Sequence, residues 1–374
     1  KIKKKNRLKS LNLHEPIIGI DEINEVSKCL KLNYVSSSGP QTLLFEQKLK
    51  NFTKSKYVIC VNSGTSAIHI ALIASGVKKN EEVLVPSLTF VGTINPILYL
   101  NAIPHFVDTE KKSLGIDFDK LEKYLNHITI KKGNYYYNKN TNRKITAIIP
   151  VHVFGHPVNI EKLKKVVKKF RLKVVEDAAE SLGSLYKNRH VGTFGDFGVL
   201  SFNGNKIITT GSGGAILTNN YHLFQKALHI SSTSKLKKSW EFIHDKTGYN
   251  YRLASLNASL GLAQLKKIKK ILSYKRKLNK EYKKIFKYNY NFKILSEPEN
   301  CKSNYWLQTL IFNKKQNLNK ILKYANNNKI QFRPVWRLMH RLIFLKKYPK
   351  MNLNNSISFE SRIISLPSGN IFKF

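Results

Sequence analysis

The chain reads as an α/β protein built on a mostly parallel sheet, with a smaller α+β region at its C-terminal end. Three observations carry that reading. Short, continuous apolar runs recur through the first two thirds of the chain, helix-period segments separate several of them, and the pattern changes to one long helix after about residue 250.

In order, the strand candidates are YVICV (57–61), EVLVP (82–86), IPHFVD (103–108), ITAIIPVHVFG (145–155), KVVED (173–177), DFGVLSF (196–202) and GAILTN (214–219). Runs without polar alternation belong to strands buried on both faces, as in a parallel sheet covered by helices. The covering helices include SAIHIALIAS, which directly follows a Ser-Gly-Thr turn, and IEKLKKVVKKF (160–170), which follows Pro157. The segment 126–144 is polar and aperiodic, and it reads as a surface loop or excursion. Beyond it lie a long helix over roughly 254–286 and strand candidates NYWLQTLIF (304–312) and IQFRPVW (330–336). The division that follows is a large domain over 14–250, a small domain over 251–374 and a basic extension over 1–13.

Composition narrows the class. A chain of 374 residues can bury a full core. Its cysteines, Cys29, Cys60 and Cys301, are odd in number and lack CxxC spacing, which argues against a disulfide framework or zinc module and fits a reducing cytoplasm. The basic opening KIKKKNRLKSLNL leads into no apolar signal core, and no apolar stretch approaches the roughly 20 residues of a membrane helix. A formal net charge of +42 invites a nucleic-acid or polyanion reading. The lysines, however, are spread over helix faces, with no aromatic-interleaved RNA motif or zinc finger, so solvated faces account for them. A positive field of this kind speeds encounters with anionic ligands such as nucleotides.

Three segments carry chemistry. The run VICV delivers the chain to Asn62-Ser63-Gly64-Thr65-Ser66 at the start of a helix, where unpaired amides and the Thr65 and Ser66 hydroxyls can hold an anion; an ordinary helix cap is the plainer alternative. Asp177 ends an apolar strand, a ligand-facing position in an open parallel sheet, although it could simply cap Ala178-Ala179-Glu180. Lys206 follows the strand DFGVLSF in a glycine-containing loop; in so basic a chain, only that setting distinguishes it from a solvated lysine. A lysine that can form an imine, a carboxylate for a pyridinium nitrogen and a glycine-led turn for a phosphate are together the requirements of pyridoxal 5′-phosphate (PLP). His152 and His156 have i,i+4 spacing, but Pro157 follows and no third ligand is near, so a metal site is not expected.

Taken together, LHEP (13–16), NYVSSSGP (33–40), NSGTSAIHIAL (62–72), VPSLTFVGTINPI (85–97), IIPVHVFGHPV (148–158), VVEDAAESLGS (174–184), SFNGNKIITTGSGGAI (201–216), GYNYRLASLNASLGLAQL (248–265) and RPVW (333–336) resemble the DegT/DnrJ/EryC1/StrS family. The resemblance runs from about His14 to Pro367. It implies a PLP-dependent sugar aminotransferase of fold type I, the aspartate aminotransferase-like class. LHEP and SFNGNKIITTGSGG most resemble the branch acting on nucleotide-linked 4-keto-6-deoxy-N-acetylhexosamines, of the legionaminic acid and bacillosamine type.

By matching position, the resemblance makes Lys206 the imine-forming residue and proton carrier, and Asp177 the partner of the pyridine nitrogen. Gly64, Thr65, Ser66 and Ser201 become phosphate ligands, Phe90 stacks on the cofactor ring, and Glu180 lies near a cofactor oxygen. Asn250 corresponds to an asparagine that reaches the phosphate of a neighbouring subunit, which implies a homodimer with shared sites. Glutamate is the implied amino donor, Arg252 a candidate for its carboxylate or a substrate phosphate, and Ser37 and Trp336 candidate substrate walls. Two departures stand out: Ser66 replaces the family's usual alanine, and the chain is unusually basic. The family's sugar dehydratases carry histidine in place of this lysine, so Lys206 favours transamination; amination at C3 is the nearer alternative. A polyanion-binding protein and a catalytically idle member that keeps the imine without turnover are the readings furthest from it.

Overall fold

The seven apolar runs all become strands of one sheet, ordered 57–61, 214–218, 197–201, 173–177, 145–148, 82–86, 103–107. The structure, a computed structural model, describes residues 10–236 and 240–369. Five neighbouring strands run parallel, and Gly214–Thr218 alone runs against both of its neighbours. Every residue of Glu82–Pro86 and Gly214–Thr218 is buried, so helices and loops cover both faces, as uninterrupted apolar composition requires. The helix Gly64–Ala74 packs on the central strands, and the helices Pro40–Thr53 and Tyr221–Ser231 pack on the edge strand Tyr57–Val61.

Parallel strands align their carboxyl ends on one edge of the sheet, where Asp177 and Ser201 are the last residues of their strands. The reversed strand brings its first residue, Gly214, to that same edge, paired with Ser201 and Val61. Close packing here depends on glycine. An ideal Cβ on Gly214 would lie 2.5 Å from the Ser63 carbonyl carbon, and one on Gly198 would lie 1.9 Å from the Gly192 carbonyl oxygen. Because both obstacles are backbone, Gly198→Ala forces two buried segments apart; we expect a loss of about 3 kcal/mol or more in denaturant unfolding.

A second, antiparallel sheet orders strands 292–294, 308–312, 363–366 and 333–334. Its core of Ile294, Leu310, Ile364 and Leu366 is closed by Leu278 and Tyr282 of the long helical region and by Leu11 from the N-terminal segment.

Three local expectations are refined. The segment 126–144 forms a hairpin, Thr129–Lys132 against Tyr135–Asn138, turning at Gly133. Its strands pair with each other; Thr129–Lys132 is largely exposed, while Tyr135–Asn138 buries the polar Asn138 and packs Tyr136 on Phe170, so no apolar alternation marks them. The long helix is two, Ser255–Lys266 and Ile268–Ile285, joined at Lys267. The first buries Ala258 and Leu262 in the large core while the second reaches the small one, and no glycine or proline announces the change. The run 145–155 is a strand only to Ile148; beyond Pro150 it turns tightly through Phe154, whose φ of 54° is left-handed. No helix among the described residues is long and apolar enough to cross a membrane.

Candidate active site

At the sheet edge described above, Gly64, Thr65, Phe90, Asp177, Glu180, Ser201, Lys206 and Trp336 line one cavity of about 230 Å³. Each arrives by a different route. The helix Gly64–Ala74 opens at the cavity with Ser63 as its cap: the Ser66 amide donates to Ser63 Oγ at 3.0 Å. Helix geometry leaves the amides of Gly64 and Thr65 without an intrahelical acceptor, and their partial positive charge suits an anion. A Cβ on Gly64 would lie 3.0 Å from Ser201 Cβ, so glycine lets the helix start approach the Ser201 hydroxyl.

Asp177 stands opposite on its strand end, buried, with both oxygens engaged. Oδ1 accepts the Ala179 amide at 3.1 Å, so the carboxylate also caps the turn after the strand. Oδ2 accepts the Thr93 hydroxyl at 2.8 Å, and Thr93 is in turn 2.8 Å from the Thr89 hydroxyl. These bonds leave each oxygen a lone pair and hold the carboxylate plane fixed.

Lys206 is held from two sides. Its Nζ lies 3.4 Å from Glu180 Oε1 and 4.0 Å from the centre of the Trp306 ring, whose Nε1 donates to the Asn205 carbonyl at 2.6 Å. Glu180 is buried, and its other oxygen accepts the Phe154 amide at 2.8 Å. Burial pushes its carboxyl up to about 7, against the opposing pull of the Lys206 ammonium and the Phe154 amide. The sign follows: a carboxyl raised in the folded state contributes stability below its unfolded value near 4.5, and that contribution is lost as pH rises through about 7. Glu180→Gln should therefore gain on the wild-type apoprotein in unfolding free energy as pH rises from about 5 to 8; a difference that stays flat with pH refutes this.

Other expected residues lie elsewhere in this chain. Ser66 is committed to the helix cap, its hydroxyl 2.8 Å from Ser63 Oγ. Arg252 is paired with Glu46 at 2.8 Å, away from the cavity. Asn250 is exposed, its backbone bridged to Ser232, and Ser37 is exposed before the helix Pro40–Thr53. His152 and His156 are buried and occupied separately, His152 with Glu176 at 3.1 Å and His156 with Ser303 at 2.9 Å. Among the described residues no cluster of three or more His, Cys, Asp or Glu could hold a metal.

Thr93, Trp306 and Ser212 line the cavity without having been singled out from the sequence. The i,i+4 pair Thr89–Thr93 at a helix start was the available signal for the first. Nothing local marked Trp306, which meets Lys206 across about a hundred residues of chain.

The donor set fits PLP: amides and hydroxyls for a phosphate at the helix start, a fixed buried carboxylate for a ring nitrogen, and a primary amine between them. An anion cradle, a carboxylate and a lysine converging on the carboxyl edge of an α/β sheet define a cofactor-dependent transferase. The chain belongs to the DegT/DnrJ/EryC1/StrS aminotransferase family, whose model matches residues 16–373. It is 33% identical over 362 residues to GDP-perosamine synthase of Escherichia coli O157:H7, covering 96% of this chain and 94% of that protein. It is 32% identical to EpsN of Bacillus subtilis, which carries the designation pyridoxal phosphate-dependent aminotransferase, over 89% of this chain and 83% of EpsN. Among solved structures, Helicobacter pylori PseC, an aminotransferase involved in the biosynthesis of pseudoaminic acid, superposes with a TM-score of 0.86 at 28% identity, covering 96% of this chain and 94% of PseC.

Proposed function

We propose that this chain is a PLP-dependent sugar aminotransferase that moves an amino group from glutamate to the keto carbon, C4, of a nucleotide-linked 4-keto-6-deoxy hexose or N-acetylhexosamine. The product would serve surface-glycan or nonulosonic acid synthesis. The observation that carries this reading is the convergence of Lys206, Asp177 and the Gly64–Thr65 helix start on one cavity. When bound, PLP supplies an electron-withdrawing ring that lowers the cost of negative charge on the carbon bearing the transferred nitrogen.

The protein's own groups do the rest. The Gly64 and Thr65 amides, with the Thr65 and Ser201 hydroxyls, would hold the phosphate. Asp177, oriented by Thr93 and the Ala179 amide, keeps a proton on the ring nitrogen. Phe90, on the cavity wall, would stack against the cofactor ring. The Lys206 amine would carry the proton between the reacting carbon atoms, and Glu180 at 3.4 Å holds that amine in place. Trp306 and Trp336 exclude water from the same space.

The assembly is a homodimer in this reading. Ile20, Ile23 and Leu43 are each more than half exposed on the N-terminal helices, as is Phe90 on the cavity wall, and a second copy would bury them. Asn250, exposed here, then reaches the phosphate of the partner's site. Support for a sugar-nucleotide substrate comes from the relatives named above, and a lysine rather than a histidine at 206 favours amination over dehydration. A panel of UDP-, GDP- and dTDP-linked 3-keto and 4-keto sugars, incubated with holoenzyme and glutamate and read by NMR, tests the assignment. A 4-amino product supports it; a 3-amino product, a dehydrated product or no turnover across the panel overturns it.

A further inference from the structure

Two groups flank the Lys206 amine, the Glu180 carboxylate at 3.4 Å and the Trp306 ring at 4.0 Å from its centre. They arrive from distant parts of the chain. Glu180 lies in the turn after the strand Lys173–Asp177, and Trp306 lies just before the strand Gln308–Phe312 of the antiparallel sheet. A displacement of about 1 Å at such a pair is enough to misplace the amine between them.

Asn304 ties the two segments together. Its side chain is fully buried, and it works in both directions. Nδ2 donates to the Glu180 carbonyl at 2.9 Å and to the Leu182 carbonyl at 3.0 Å, while Oδ1 accepts the Trp306 amide at 2.9 Å. The Asn304 backbone amide donates to Ser184 Oγ at 3.0 Å, and that hydroxyl donates to the Gly155 carbonyl at 2.7 Å. Gly155 follows Phe154, whose amide holds the Glu180 carboxylate. One side chain therefore fixes the backbone of Glu180, the turn that orients its carboxylate, and the residue that presents the indole.

The backbone around Asn304 is shaped to the same end. Tyr305, between Asn304 and Trp306, has a φ of 51°, a left-handed conformation that a bulky residue keeps only where its surroundings impose it. That bend brings the Trp306 amide onto Oδ1. An ideal Cβ on Gly155, whose φ is 92°, would lie 1.7 Å from Asn304 Oδ1, so glycine makes room for the amide.

We propose that Asn304 is a positioning residue for the reaction, setting Glu180 and Trp306 in register on either side of the Lys206 amine. Asn304 is not among the residues lining the cavity and acts through these two neighbours. The role rests on the assignment of Lys206 given above.

Two matched substitutions test it. Asn304→Asp keeps the shape and the acceptor for the Trp306 amide, but turns the donor that faces two carbonyl oxygens into an acceptor. Asn138→Asp makes the same reversal at the opposite edge of the large sheet, where the buried Asn138 Nδ2 donates to both Glu82 oxygens at 3.1 and 3.2 Å. In the apoprotein, acetylation by acetic anhydride followed by peptide mapping reports how closely the Lys206 amine is held, with no cofactor present. Asn304→Asp should raise the labelling rate of Lys206 about threefold or more, while Lys144, a partly buried lysine paired with Glu81, stays within about twofold. In PLP-loaded protein the glutamate half-reaction should slow about tenfold or more, with the glutamate concentration at half-maximal rate shifted by less than about threefold. Asn304→Ser, which introduces no charge, should move both readouts in the same direction if Asn304→Asp fails to fold. Asn138→Asp should leave Lys206 labelling and the half-reaction within about twofold. Unchanged Lys206 labelling or an unslowed half-reaction in the Asn304 variants, an equal rise at Lys144, or an equal slowing by Asn138→Asp overturns the proposal. A wild-type holoenzyme that glutamate fails to convert would sink the aminotransferase reading instead, and the apoprotein labelling would still decide what Asn304 holds in place.

Discussion

Lys206→Ala is expected to lower turnover by about 10³-fold or more while cofactor still binds. The change leaves Gly64, Thr65, Ser201 and Asp177, the groups proposed to hold the cofactor, untouched, so affinity for PLP is expected to fall far less than rate. The loss leaves Glu180 without the ammonium 3.4 Å away and Trp306 without its cation, which marks the change as local. Borohydride treatment of the wild-type holoenzyme followed by peptide mapping should place the label on position 206. Wild-type turnover in the variant, or a label on another lysine, refutes the role given to this side chain.

Asp177→Asn is the second large effect. The amide keeps the shape and can still accept from Thr93 or the Ala179 amide, so unfolding free energy should change little. What disappears is the negative charge that, in the proposed role, would keep a ring nitrogen protonated. A charge-assisted hydrogen bond contributes about 1.5–3 kcal/mol, which corresponds to a fall of roughly 10- to 200-fold in the rate of the glutamate half-reaction. A variant that is unstable and slow would point to a capping role alone; a stable, slow variant with an altered cofactor spectrum supports the ring-nitrogen role. Thr93→Val should act in the same direction more weakly, because it loosens the carboxylate without removing its charge.

Much of this architecture is readable from residue order because parallel strands covered on both faces must be continuously apolar. The runs YVICV, EVLVP and KVVED coincide with strands Tyr57–Val61, Glu82–Pro86 and Lys173–Asp177. Where burial does not dictate composition, legibility fails. The hairpin over Thr129–Asn138 is joined to the body through side chains: the Asn138 amide donates to Glu82 at 3.1 Å, and the Thr141 hydroxyl at 2.5 Å. A polar tether of that kind has no period.

The site divides along the same line. Gly64 opens a helix, Asp177 ends a strand and Lys206 lies in the turn that follows one, places where short motifs carry their meaning locally. Trp306 and Thr93 act through contacts that only the folded chain creates, and each residue type is equally at home in a core. Arg252 shows the converse: its partner Glu46, some two hundred residues earlier, could not be guessed from the motif in which the arginine lies.

The reversed strand Gly214–Thr218 has one more consequence. Because Ser201 and Gly214 face each other in register, the segment 202–213 is a closed loop stapled at its base by a ladder that continues to Gly198 and Leu217. Lys206 rides on that loop, with its backbone amide donating to the Asn203 carbonyl. The base of the loop that carries the amine is therefore fixed by buried pairing. A lineage that acquires a new sugar must reshape the surroundings, since the reach of its amine is set by the weave of the sheet beneath it.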